Sequence, residues 1–121
     1  MNTTGVGMDL IEIARIERAL DRRPRLADRL FTEAEQEYAA SMGRPGRHLA
    51  ARFAAKEAVV KALALGPGTA LRQIEILAGA PPTVRFHDEV RKIAEERGVS
   101  VKVSLTHERE MAAAVAIAEA V

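Results

Sequence analysis

The chain has no cysteine and no tryptophan, and aromatic residues make up only 3% of its 121 positions. Without cysteine, a disulfide framework and thiolate metal ligation are both excluded, which fits a reducing cytoplasm. With so few aromatics, the core must be built from Ala, Leu, Ile and Val, within a hydrophobic content of 48%. There is no excess of charge of one sign. The formal net charge is +1, so no global field points to nucleic acid or to a membrane surface. The first residues, Met1-Asn2-Thr3-Thr4-Gly5, lack a basic region followed by an apolar stretch, so no signal peptide is expected. No internal repeat, low-complexity segment or linker interrupts the chain, and its length suits a single domain over 1–121.

What the chain does have is one long run, Leu49 to Leu65, made mostly of alanine and aliphatic residues. No Gly or Pro breaks it, and its composition favours a buried helix. It carries four charges and is too short to span a bilayer comfortably. Arg52 and Lys56 are spaced to share a helical face, where two cations repel and an anion between them would remove the repulsion. Glu57 and Lys61 have the same spacing, in the favourable order for a helical ion pair. Two readings stand. One is a helix with a partly solvated flank and one Glu-Lys pair. The other is a helix that presents one carboxylate and three cations to a phosphorylated ligand and its metal.

Before that run, Val6 and Met8 alternate with Gly5 and Gly7, which predicts a short strand. Ile13, Ile16 and Leu20 then predict a helix over 10–21. Asp9, with Glu12 three residues on, reads either as a capping box or as a metal ligand held at a strand-to-helix junction. On this helix Arg15, Arg18 and Arg22 form a stripe opposite the apolar one, and Arg23, Arg25 and Arg29 extend it. A charged stripe is often only the wet face of an amphipathic helix, but one of a single sign favours an acidic partner. Pro24 stops this helix or opens a short one bearing Leu26, Ala27 and Leu30. Thr32 with Glu35 is a capping box for a helix that ends near Met42, before the Gly43-Arg44-Pro45-Gly46 loop.

After Gly66-Pro67-Gly68 the period falls to two. Ile74 and Ile76, then Val84 and Phe86, predict a hairpin around Gly79-Ala80-Pro81-Pro82. A helix follows over 87–97, stopped by Gly98. Val101, Val103 and Leu105 alternate with Lys102, Ser104 and Thr106 as a half-buried strand, with a turn at His107-Glu108-Arg109-Glu110. Met111 to Ala120 is alanine-rich and favours helix by propensity, but Val115 and Ile117 alternate and the preceding turn favours a hairpin, so a strand is expected. The resulting fold class is α+β, an antiparallel sheet packed on a long central helix.

Three stretches together, Gly5-Val6-Gly7-Met8-Asp9-Leu10-Ile11-Glu12, Arg52-Phe53-Ala54-Ala55-Lys56-Glu57-Ala58 with Lys61, and Ser104-Leu105-Thr106-His107, resemble the holo-acyl-carrier-protein synthase family, the short class of 4′-phosphopantetheinyl transferases. Their order, their spacing and the chain length match that family from end to end. The resemblance implies a phosphopantetheinyl transferase-like fold. It implies transfer of phosphopantetheine from coenzyme A to a serine of an apo acyl carrier protein, with Mg²⁺ as cofactor and release of adenosine 3′,5′-bisphosphate. It also implies a cytoplasmic homotrimer with active sites between subunits.

By the same resemblance, Asp9 and Glu57 hold the metal. Arg52, Lys56, Lys61, Thr106 and His107 meet coenzyme A phosphates. Glu57 removes the serine proton, Lys61 stabilises the leaving phosphate, and Arg15, Arg18 and Arg22 dock the acidic carrier. On its own, His107 also reads as a plain turn histidine. Two positions depart from the family pattern. Ala80 stands where the hairpin commonly carries Lys or Arg, and His48 stands where an aromatic or aliphatic residue is common. The competing function is a non-catalytic module that binds acidic carrier-type proteins through the arginine stripe alone. That module would need neither Asp9 nor Glu57.

Overall fold

A computed structural model describes residues 2–121. The elements run β1 (Thr3–Glu12), α1 (Ile13–Arg22), α2 (Leu26–Leu30), α3 (Glu33–Ala40), α4 (Pro45–Ala62), β2 (Ile74–Leu77), β3 (Thr83–Phe86), α5 (Asp88–Arg97), β4 (Val99–Glu108) and β5 (Met111–Ala120), with a 3₁₀ turn at Leu71–Gln73. The architecture is α+β, as expected. Its strands fall into two antiparallel sheets, β1-β5-β4 and β2-β3.

β5 is the middle strand of the larger sheet, paired with β1 on one side and β4 on the other. That position explains why an alanine-rich segment is a strand: backbone hydrogen bonds on both edges outweigh a weak helical propensity. Its Ala112, Ala114, Ala116 and Ala118 are buried against α4, while Ile117 looks out.

β1 is longer than the predicted strand. Its pairing continues through Leu10↔Ala113, Ile11↔Ala112 and Glu12↔Met111, and Ile13 N–H closes the corner on the Glu110 carbonyl at 2.9 Å. The ten-residue partner strand therefore carries β1 past Asp9, and α1 begins only at Ile13. The capping box expected between Asp9 and Glu12 does not form. Asp9 lies within the strand, and Glu12 sits at the N-cap without a side-chain cap bond. The box at Thr32 does form, with Thr32 N–H donating to Glu35 Oε1 at 2.8 Å and Glu35 N–H to Thr32 Oγ1 at 3.2 Å. The long helix opens earlier than His48, with Pro45 in its first turn, a position that tolerates the missing N–H. His107 and Glu108 belong to β4, so the predicted four-residue turn shrinks to Arg109 and Glu110.

The inward face of β1 carries Gly5, Gly7, Asp9 and Ile11, and α4 presses on it. A Cβ added to Gly7 would lie 1.9 Å from the Ala58 carbonyl oxygen, and one added to Gly5 would lie 1.9 Å from that of Ala62. These glycines are needed for close approach of two backbones. Strand period two then fixes Asp9 on the same face, beside the next turn of α4.

Gly7→Ala tests this packing. Backbone offers no flexible end to move aside, so we expect a loss of about 3 kcal/mol, at the upper end of overpacking costs. Thermal or urea unfolding of the variant reads the loss directly. An unchanged melting temperature would mean that the strand is not held this closely to the helix.

Candidate active site

The charges inside α4 sort into three environments. The first holds Lys56, which is 0% exposed. Its ammonium donates to Glu35 Oε1 at 2.8 Å, to the Ile74 carbonyl at 2.7 Å and to the Leu71 carbonyl at 3.0 Å. All three protons are committed. Burial pushes the Lys56 amine below its ordinary value, and Glu35 opposes that. Glu35 also accepts from Ile76 N–H at 2.8 Å, and Thr32 Oγ1 donates to Glu75 at 2.8 Å, which pairs with His87 at 2.9 Å. Assigning Lys56 to coenzyme A phosphates does not fit this geometry. The group ties α4 to α3 and β2. The capping-box Glu35 was legible in the sequence, but its partnership across the core was not.

The second environment is a cleft of about 460 Å³ lined by Asp9, Arg15, Phe53 and Glu57 together with the edges of α1 and α2. The structure thus brings Asp9 and Glu57 together from β1 and α4. Burial raises the Glu57 carboxyl above its ordinary value, the Asp9 charge raises it further, and Lys61 partly offsets both. Lys61 does not pair with Glu57 as its spacing suggested. It reaches instead to the Met8 carbonyl at 2.8 Å and Asp9 Oδ1 at 3.4 Å. Two carboxylates in one cleft are a fitting donor set for Mg²⁺, which takes hard oxygen ligands and needs only one or two carboxylates beside phosphate and water. An adjoining cleft of about 530 Å³ shares Leu26, Leu30, Phe53 and Glu57 and runs to Gly66-Pro67-Gly68. These apolar walls were missed from the sequence, because α2 residues read only as packing.

The third environment surrounds Arg52. Its side chain is buried, with the guanidinium 4.3 Å over the Tyr38 ring. Tyr38 meets the His48 ring edge-on at 5.8 Å, and His48 meets His107 at 6.4 Å. Arg52 Nε and the neighbouring Arg47 Nε are buried without a hydrogen-bond partner among the described residues. Buried, unpaired donors of this kind call for a ligand or water. Thr106 and His107 are exposed near the end of β4. Nothing in the spacing of the sequence pointed to Tyr38 or Arg47.

These last two environments are separate within one chain. β1 and β4 are two strands apart, about 10 Å, and the carboxylate cleft includes neither Arg52 nor His107. Arg15, Arg18 and Arg22 are exposed on α1, and Arg15 also borders the carboxylate cleft. A larger cleft of about 780 Å³ lies between β3, α5 and the C-terminus. There Arg91 is engaged by Glu95 at 3.2 Å and His87 by Glu75.

Residues 5–117 match the family model of the 4′-phosphopantetheinyl transferase superfamily. The chain belongs to this superfamily. Among its relatives, the holo-[acyl-carrier-protein] synthase of Moorella thermoacetica is 51% identical over 117 residues, 93% of this chain and 91% of the relative. The acyl carrier protein synthase of Mycobacterium tuberculosis is similar in structure, with a TM-score of 0.81 at 37% identity over 99% of this chain and 100% of the other. An ACPS–CoA complex from Chronobacterium ammoniagenes gives 0.85 at 27% identity, covering 97% of both chains. As a member of the superfamily the chain is a transferase.

The Glu57 environment has a consequence for stability. A carboxyl whose folded pKa is raised is one whose ionised form the fold disfavours. The penalty is present above the folded pKa and vanishes below the unfolded one. Glu57→Gln removes it. In chelator-treated protein at pH 7.5 we expect the variant to melt at a higher temperature than the parent, with the difference disappearing near pH 4. A lower melting temperature at pH 7.5 would show that Glu57 is favourably solvated in the metal-free protein.

Proposed function

We propose that the chain transfers the 4′-phosphopantetheine group of coenzyme A to a serine of an apo acyl carrier protein, with Mg²⁺ held by Asp9 and Glu57. The observation that carries this reading is the convergence of those two carboxylates in one cleft, with Lys61 at Asp9 and Arg15 at the rim. The relatives' names and the coenzyme A complex of the Chronobacterium ammoniagenes protein support the substrate pair.

In the reaction the serine oxygen attacks the phosphorus nearest pantetheine. The bond from that phosphorus to the bridging oxygen breaks, and adenosine 3′,5′-bisphosphate leaves with the bond's electrons. Glu57, raised above an ordinary carboxyl, accepts the serine proton directly or through water. Lys61 neutralises charge on the leaving phosphate, and Asp9 holds the Lys61 ammonium in place. Arg52, Thr106 and His107 receive a further coenzyme A phosphate. The metal would supply Lewis-acid charge neutralisation on the diphosphate. Catalysis then rests mainly on positioning and charge stabilisation.

The outer face of β1 supports a homotrimer. Val6, Met8 and Leu10 are 63%, 64% and 60% exposed beside Ile117 at 38%, an apolar row of the kind that oligomers cover. No helix among the described residues is long and apolar enough to cross a membrane. Together with the absence of cysteine, this is compatible with work in the cytoplasm.

The direct test is to incubate the protein with Mg²⁺, coenzyme A and an apo carrier protein and to weigh the carrier by mass spectrometry. We expect the carrier to gain one phosphopantetheine. Asp9→Ala and Glu57→Ala should each abolish the gain, by at least roughly a hundredfold for loss of a charge-stabilising group, while circular dichroism shows the fold intact. Full activity in either variant removes the metal assignment.

Docking is tested separately. Arg15, Arg18 and Arg22 are exposed, so their charges act on encounter and are screened by salt, with a Debye length of roughly 8 Å at physiological ionic strength. Arg18→Glu should raise KM for the carrier and flatten the salt dependence of kcat/KM, leaving KM for coenzyme A nearly unchanged. A weakened coenzyme A KM with normal carrier binding would move the docking surface elsewhere.

A further inference from the structure

His48 has no counterpart in the roles assigned so far, yet it sits in the middle of the third environment. Its ring lies between Tyr38 of α3 and His107 of β4, and Arg52, one turn along α4, stacks on the same Tyr38. The charged groups that act on it are Arg47 and Arg52 from its own helix and His107 from β4, and no carboxylate is among them. Two of these neighbours, Arg47 and Arg52, hold buried Nε donors without a hydrogen-bond partner among the described residues. Arg52 also feels the buried Glu35 carboxylate, but the cations outnumber it, and a cluster of this kind with spare donors is arranged for an anion of more than one charge.

We propose that His48 is a proton-gated phosphate ligand: binding of a phosphate monoester dianion at the Arg47-His48-Arg52-His107 cluster draws one proton from solvent onto the His48 imidazole, which then donates to the anion. This rests on the reading that the chain binds coenzyme A, whose 3′-phosphate is such a dianion. In the free protein, burial and the neighbouring cations push the His48 imidazole below its ordinary value, so it is neutral near pH 7. A dianion beside it favours the charged ring. Affinity must then fall as pH rises through the bound-state pKa, by tenfold for each unit that separates the free and bound values. A phosphate's own second ionisation, near 6, acts in the opposite direction and is complete by the range that matters.

The test uses adenosine 3′,5′-bisphosphate and the full chain. Titration calorimetry at pH 7.0 in buffers of different ionisation heat should show proton uptake by the parent. Between pH 7 and 9 its Kd should weaken by roughly tenfold or more. His48→Phe keeps a ring against Tyr38 and removes the proton site. It should bind more weakly at pH 7, lose that uptake and show a nearly flat Kd over the same range. In the parent, the His48 ring resonance, identified by its absence from the variant, should titrate at higher pH when the nucleotide is bound.

Intact binding with an unmoved His48 titration overturns the inference and leaves the coenzyme A reading standing. So does a variant that retains the parent's pH dependence, since the proton would then sit on a group other than His48. Failure of the parent to bind either the bisphosphate or coenzyme A at any pH overturns the coenzyme A reading itself, and this inference with it.

Discussion

The rest of the molecule depends on how closely the backbone of α4 lies on the backbone of β1. Gly5 and Gly7 leave no side chain between the strand and the helical carbonyls of Ala62 and Ala58. Alanines line the facing sides of α4 and β5, so helix and sheet meet through methyl groups rather than large side chains. A core this thin gains little per residue from apolar burial. In exchange it fixes relative position tightly, because there is little room for a helix to slide over close-packed methyl groups. Asp9 extends from the same strand face as the glycines and so arrives at the Glu57 turn of the helix. The carboxylate pair is a by-product of the strand's period and the helix's proximity.

The helix then treats its charged residues in opposite ways. Lys56 turns into the core and is neutralised by Glu35 and two carbonyls, so breaking that pair would leave an uncompensated buried charge. Glu57 turns toward a cleft and keeps an unfavourable like-charge neighbour. A structural group is satisfied by the chain itself, while a functional one is left partly unsatisfied for something outside it. Arg52 follows the second pattern: buried, stacked on Tyr38, with Nε unclaimed among the described residues.

The sheet shows the same division. Its inner face is alanine and glycine against α4. Its outer face leaves Val6, Met8 and Leu10 in solvent, where a monomer would gain from polar residues. The strand alternation that buries Ile11 and aims Asp9 inward is the alternation that sets this apolar row outward. The site and the uncovered surface are therefore products of one register.

Several features were determined by the sequence alone. The Thr32-Glu35 box, the Gly98 stop and the alternation of Val101, Val103 and Leu105 are local signals, and each holds within a few residues of itself. The paired appearance of Asp9 and Glu57 in two recurring motifs was equally legible, as was the arginine stripe opposite Ile13 and Ile16. What only the tertiary structure decided concerns partners distant in sequence. Asp9 could not be read as a strand residue until β5 carried the pairing past it. Lys56 and Glu57 are adjacent, and no local pattern says which one faces a core acid and which one a cleft. That choice depends on where α3 and β1 lie around the helix. The Tyr38-His48-His107 row draws on α3, α4 and β4 and has no signal in any one of them. Local propensity and period act over a turn or a strand, whereas burial and charge pairing are set by whichever segment packs alongside, and packing is not written in the spacing of either one.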